Sequence, residues 1–155
     1  MPFRLPDSNS YIPKNCILGP FQDFLPNLVD SVTKDTNKIP VIFYKTVGTS
    51  PNRILVVTFY KTPFYYCVKR NATFQIDLFE TSNNIENHIF NKPECNWYSN
   101  KATFGLQNLH GSIGVSVSGR NCTSWTVDST NAEGWLYHPI SADSFQVTAI
   151  FFKLY

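Results

Sequence analysis

Short runs of β-branched and aromatic residues, each cut off by polar turn residues, recur along this chain, and no long segment keeps the 3.6-residue apolar period of a helix. That pattern restricts the chain to an all-β fold. Thr73–Glu80 is the clearest case: Phe74, Ile76 and Leu78 alternate onto one face. Thr81-Ser82-Asn83-Asn84 supplies turn chemistry, and Ile85 and Ile89 share a face of the returning run Ile85–Phe90. A symmetric turn predicts Ile76 opposite Ile89 and Asp77 opposite His88. Arg53–Tyr60 is apolar on both faces and is placed inside a sheet. Further strands are expected at Val41–Tyr44, Ala102–Leu106, Ile113–Val117, Gly134–His138 and Phe145–Phe152. Roughly eight short strands with turn-rich connections imply an antiparallel β-sandwich, jelly-roll-like, in a single domain spanning 1–155. Residues 1–37 read as a loop-rich N-terminal segment, punctuated by Pro2, Pro6, Pro13, Pro20 and Pro26, with one or two helical turns at Pro26–Val32. Residues 39–152 form the strand-rich core. The poorly alternating end, with Ile150, Phe151 and Phe152 contiguous, is expected to complete a sheet or to pack on a neighbouring subunit.

Composition removes several function classes. Charged residues are 15% of the 155, apolar residues 43% and aromatics 15%, far too much apolar surface for disorder. A formal charge of +2 is too weak to indicate a nucleic-acid partner. No apolar run is long enough to insert in a membrane. Met1-Pro2-Phe3-Arg4-Leu5-Pro6 lacks the basic-then-apolar pattern of a signal peptide, so the chain is expected either to start in the cytoplasm or to be cut from a longer secreted protein.

Chemistry-bearing residues are sparse. His88, His110 and His138 are not spaced for a shared metal ion, so no metal ligand set is assigned, and no cofactor is expected. His88 opposite Asp77 would resemble a base and its orienting acid, but no nucleophile motif accompanies it; an exposed cross-strand pair is expected instead. Asp77 and Glu80 point to opposite faces, and Glu80 and Glu86 flank a turn where solvated acids are common. Asp23, and Asp128-Ser129-Thr130-Asn131 with Glu133, carry calcium-like oxygen donors without the calcium-loop spacing, and read as side-chain-capped turns. The chain is therefore expected not to be an enzyme. The aromatic cluster around Pro63 is the candidate ligand-binding platform: Tyr60, Phe64, Tyr65 and Tyr66. Core packing of part of that cluster is the competing reading. Cys67 precedes the 73–90 hairpin and Cys95 follows it, so the open end of the hairpin should bring the two thiols together as a disulfide in an oxidising compartment. Cys16 and Cys122 are left as a second pair or two buried thiols.

Several short motifs go further. They are Asn15-Cys16-Ile17-Leu18-Gly19-Pro20-Phe21-Gln22-Asp23, Val47–Arg53, Leu78–Glu86, Asn91-Lys92-Pro93-Glu94-Cys95, Gly105–Asn108, Gly119-Arg120-Asn121 with Trp125, and Trp135 before Pro139. In order and spacing they resemble a β-sandwich domain of cell-surface and gliding-motility-associated secreted proteins of Bacteroidota, more loosely similar to nidogen-like extracellular domains. Leu25 stands where that family carries a second acid, and its aromatic-rich N-terminal strand pattern is missing. The resemblance includes both Cys67 and Cys95. It implies a non-catalytic structural or adhesive module, extracellular or at the cell surface. Its partners would be other protein subunits or cell-surface glycans, so a carbohydrate-binding module is one alternative. A virion decoration or fibre protein of a phage infecting such bacteria is another, and agrees with the absent signal peptide.

Overall fold

The structure is a computed structural model in which residues 2–26, 42–142 and 144–155 are described. Nine strands are present among them: β1 Cys16–Phe21, β2 Ile42–Val47, β3 Ile54–Pro63, β4 Asn71–Phe79, β5 Ile85–Asn91, β6 Lys101–Gln107, β7 Gly114–Ser124, β8 Glu133–Ser141 and β9 Ser144–Ile150. They form two antiparallel sheets, one in the order β1-β6-β7 and one in the order β2-β3-β4-β5-β8-β9. The fold is therefore the antiparallel β-sandwich expected, and β3 lies inside its sheet, flanked by β2 and β4. β9 completes the larger sheet. The segment expected to be loop contains a strand, β1, despite Pro20. Proline is tolerated there because β1 is an edge strand whose register shifts between Leu18 and Phe21. The helical turn expected from Pro26 lies, beyond that residue, outside the described residues.

The β4–β5 hairpin is present, but its register differs from the symmetric expectation. Phe74 faces Ile89, Gln75 faces His88, Ile76 faces Asn87 and Asp77 faces Glu86. The Phe79 amide donates to the Asn84 carbonyl, so Asn84 belongs to the ladder and the loop is residues 80–83. Asn83 takes the positive φ that closes this loop, and Glu80 is drawn to the Arg53 guanidinium and backbone amide. Moving the turn by one residue moves every pairing by two and leaves the faces unchanged.

Facing side chains from both sheets build one core. β4, β5 and β8 supply Phe74, Ile89 and Tyr137; β6 and β7 supply Ala102, Phe104, Leu106 and Val117; Trp125 and Val127 follow β7. A Cβ on Gly19 of β1 would stand 2.4 Å from the Phe74 ring, so a side chain there would push the sheets apart. The outer faces are covered by the two chain ends. Residues 2–14 lie over the small sheet, with Phe3 and Leu5 packed on Leu18. Their backbone is held by side chains: Asn121 accepts from the Leu5 amide (2.7 Å) and donates to the Leu5 carbonyl (2.8 Å), and Gln107 accepts from the Asp7 amide (2.7 Å). Residues 151–155 cross the large sheet at Gly134, where a Cβ would meet the Phe151 carbonyl oxygen at 2.8 Å. Asn121→Ala should destabilise the protein by about 1–3 kcal/mol, because two backbone groups lose their partner. Amide exchange should accelerate at Leu5, with β4 and β5 amides unchanged.

Candidate functional site

Two loops at one end of the sandwich bring the exposed rings of Tyr65, Tyr66 and Tyr98 together. The first leaves β3 at Pro63. Its backbone is fixed by four hydrogen bonds: Leu25 N–H to the Pro63 carbonyl (2.8 Å), Tyr65 N–H to the Asp23 carbonyl (2.9 Å), Phe64 N–H to the Arg70 carbonyl (3.2 Å) and Arg70 N–H to the Cys67 carbonyl (2.7 Å). The second leaves β5 through Lys92, which bridges Val127, and makes a tight turn at Trp97–Asn100 before β6. A Cys67–Cys95 disulfide clamps the loops together with Cα atoms 5.9 Å apart, the pairing expected from the hairpin. Cys16 and Cys122 are free, half-buried thiols.

Tyr66 stacks on Trp97 with ring centroids 4.6 Å apart and planes 15° apart. Tyr98 packs on the same indole at 4.8 Å and Tyr65 approaches it at 6.5 Å. The indole N–H donates to the Asp23 carboxylate (3.0 Å), which fixes the ring. Tyr66 is 66% exposed and Tyr65 53% exposed. The structure thus brings together two of the four residues proposed for the platform. Phe64 does not belong to it: it is fully buried, stacked on Phe24 at 4.9 Å in the core, because the chain turns inward there to pair with residue 24. Tyr60 lies on the outer face of β3, with the Lys61 ammonium 5.2 Å from its centroid, and pairs with no ring of this cluster. Sequence reasoning missed Trp97 and Tyr98. The available signal was their position two and three residues after Cys95, which the disulfide places beside Cys67 and so beside Tyr66.

The second loop is strained. Tyr98, Ser99 and Asn100 all have left-handed backbone, with φ of 50°, 57° and 58°. Each such non-glycine residue costs on the order of 1–3 kcal/mol, least for Asn. A buried polar node holds it. The Asn100 side-chain oxygen accepts from the Lys92 ammonium (3.1 Å) and the Cys95 amide (3.0 Å). Its amide donates to the Trp125 carbonyl (3.1 Å), which also accepts from Lys92 (2.9 Å). The Lys92 ammonium lies 4.8 Å from the Trp125 centroid. Burial, and then the Arg120 charge, lower the Lys92 pKa to about 7.

A second constellation lies on the outer face of the large sheet. Asp77, Glu86 and His88 are buried there, with one donor atom from each within 4.8 Å of the others. The expected exposed Asp77–His88 pair is therefore buried and diagonal, because the register is shifted and the C-terminal tail covers it. His88 Nε2 lies 3.0 Å from Glu86 and 3.5 Å from Asp77. The Lys153 backbone amide donates to Nδ1 (3.2 Å), which places the imidazole proton on Nε2, where it is donated to Glu86. Both ring nitrogens are thus occupied, and Nε2 offers no lone pair to a metal ion or to a substrate proton. Burial lowers the His88 pKa, in keeping with a neutral ring. Burial also raises Asp77, to about 6, against an opposing hydrogen bond from Gln75 (2.9 Å). Glu80 and Glu86, the turn acids, have separate partners: Arg53 holds Glu80 down to about 2 by hydrogen bonding. Asp128 caps its own turn through the Thr130 and Asn131 amides (2.9 and 3.2 Å).

The chain belongs to the NIDO-related family. The family matches residues 23–148, from the aspartate that holds Trp97 into the last strand, β9. That supports the nidogen-like resemblance and places the domain in a non-catalytic structural type. No curated protein and no solved structure matches the chain.

Asp77→Asn should stabilise the protein at pH 8 and lose that advantage toward pH 4. The folded pKa lies above the unfolded value, so the stability Asp77 contributes is present below about pH 4 and lost as pH rises through about 6. The variant avoids an ionisation cost on the order of 1–3 kcal/mol. Urea unfolding at both pH values reads the difference. Replacing Cys67 and Cys95 by Ser should cost about 2–4 kcal/mol, seen as a lower melting temperature that no longer responds to reductant.

Proposed function

We propose that this chain is an extracellular, non-catalytic adhesive module that holds cell-surface glycans on the Tyr65–Tyr66–Trp97–Tyr98 ring surface. One observation carries the reading: the exposed rings of Tyr65 and Tyr66 lie against Trp97 and Tyr98 of a strained turn, and a disulfide and a buried Lys92–Asn100 node keep the two loops in one geometry. Strain held this firmly at a surface fits a pre-organised contact, where a rigid ring gives large contact area at little entropic cost. Tyrosine and tryptophan suit sugars because the C–H face of a pyranose packs on an electron-rich ring while its hydroxyls stay hydrated. The disulfide agrees with an oxidising compartment. No helix among the described residues is long and apolar enough to cross a membrane.

A glycan array probed with wild type and Tyr66→Ala tests this. Wild type should bind a defined group of glycans. Tyr66→Ala should weaken that binding at least about tenfold, the loss of one ring contact of roughly 1.4 kcal/mol. Tyr60→Ala, away from the cluster, should leave it unchanged. Absence of glycan binding by wild type, or equal binding by Tyr66→Ala, would overturn the reading.

A further inference from the structure

The outer face of the large sheet buries more negative charge than it neutralises. Asp77 and Glu86 are directly opposed in the β4–β5 register, and both are buried. Like charges set opposite each other across two strands destabilise a sheet. Among the described residues the one cation paired with either is Lys153, whose ammonium lies 3.6 Å from Glu86. Asp77 Oδ2 accepts from Gln75 (2.9 Å), but its Oδ1 has no partner although the side chain is fully buried. A buried carboxylate oxygen left unmet is rare in a folded protein and marks a place for a donor or a cation.

His88 stands between the two acids. Its Nε2 lies 3.0 Å from Glu86 and 3.5 Å from Asp77, and one donor atom from each of the three residues lies within 4.8 Å of the others. Ligands placed tetrahedrally at roughly 2.0–2.2 Å from a zinc ion are themselves roughly 3.3–3.6 Å apart. The cluster therefore already has nearly the edge lengths of such a shell, and it is carried by two adjacent strands rather than by a loop. An imidazole with two carboxylates suits zinc and its first-row neighbours, whereas calcium and magnesium take oxygen donors.

We propose that Asp77, Glu86 and His88 form a binding site for a zinc-class divalent ion, and that the C-terminal tail is a strap which the ion displaces. With the tail in place, the Lys153 amide holds Nδ1 as an acceptor and the imidazole proton sits on Nε2. A metal ion takes the Nε2 lone pair, so that proton leaves and, through solvent, returns to the same ring at Nδ1. The Nδ1–H and the Lys153 N–H are then two donors facing each other where a 3.2 Å hydrogen bond stood, and the strap has to move. The Lys153 ammonium is driven off Glu86 by the same ion. Little else holds the tail: residues 151–155 form no strand, and the Phe152 ring meets His88 edge-on and Phe90 at 6.0 Å. One hydrogen bond and a half-exposed ion pair are weak opposition to three ligand bonds. Water admitted as the strap leaves supplies the fourth ligand. The site shares no residue with the ring surface, so it stands or falls apart from the glycan reading.

Calorimetric titration of the full chain with zinc chloride, followed in parallel by NMR of the histidine ring nitrogens, tests it. Wild type should bind one ion, His88 should change from the Nε2–H to the Nδ1–H form, and the Lys153 amide should exchange faster. Lys153→Pro removes the amide donor and the ammonium together, in a segment without regular structure, and should tighten zinc binding at least about tenfold. Asp77→Asn and Glu86→Gln should each weaken it at least about tenfold. Asp77→Asn is expected to fold more stably than wild type at pH 8, so weaker binding there is not unfolding. Zinc held by His110, His138 or the free thiols would ignore both changes. No zinc binding by wild type and Lys153→Pro, or binding indifferent to Asp77→Asn and Glu86→Gln, overturns the site. Binding that Lys153→Pro leaves unchanged overturns the strap.

Discussion

The buried ammonium of Lys92 is the contact on which the ring-bearing end of the molecule depends. Taking a lysine out of water costs several kcal/mol unless its donors are met. Here they meet the Asn100 side chain and the Trp125 carbonyl, with the Trp125 ring alongside. Each partner belongs to a different element, so a single side chain joins the exit of β5, the turn before β6 and the segment after β7. The same Asn100 oxygen holds the Cys95 amide, so the disulfide is seated by the node as well as by its own bond. Arg120 adds a second cation to Trp125, 4.3 Å from the ring centroid, and is itself neutralised by Glu133, which also accepts from the Trp135 indole. Three segments that read as separate short motifs in the sequence, Asn91–Cys95, Gly119–Trp125 and the tryptophan at 135, are thereby parts of one electrostatic assembly.

A different constraint governs the rest. A sandwich of this kind has two outer faces as well as two inner ones, and an outer face carrying Asp77, Glu86 and His88 on one sheet, and Thr103 and Gln107 on the other, can be buried only if its polar atoms are satisfied. The chain ends meet most of them in opposite ways, and the Asp77 Oδ1 is left without a partner. The N-terminal segment presents backbone groups to side chains: the Thr103 hydroxyl donates to the Phe3 carbonyl, and Gln107 bridges Asp7 and Pro13. The C-terminal tail presents one backbone amide to His88, the Lys153 ammonium to Glu86 at 3.6 Å and the Phe152 ring to His88. The sheet's side of the first seal is made by the neutral side chains of Thr103, Gln107 and Asn121, whereas the second depends on how protons are shared among an imidazole and two carboxylates.

The fold was legible because strand alternation and turn residues are local. The 74, 76, 78 stripe, the apolar run of β3 and the bracketing cysteines each required only neighbours in the sequence. The β4–β5 register was not legible. It hinges on whether Thr81 or Glu80 opens the loop, and Arg53, from another hairpin, decides that. Strand β1 escaped because proline signals loop unless the strand is known to be at an edge. The ring surface was half legible. Tyr65 and Tyr66 stand out as neighbours in the chain, whereas Phe64 looks identical until the core claims it, and Trp97 joins only through the disulfide. The burial of His88 could not be read at all, since it comes from residues more than sixty positions away.

These assignments share a direction. Residue types that a sequence reader associates with chemistry are occupied in this molecule by architecture. Asp23 fixes an indole, Glu80 and Arg53 close a hairpin, Asp128 caps a turn, and His88 receives the C-terminal tail. In each case the group's hydrogen-bonding capacity is met by named protein atoms, and a donor or acceptor so committed has to break an existing bond before it can act on a ligand. The rings of Tyr65, Tyr66 and Tyr98 differ, because what they expose is π-face and C–H edge, which no hydrogen bond consumes. Held by the Trp97 indole and the disulfide, those rings are the fixed aromatic area that this end of the fold leaves exposed.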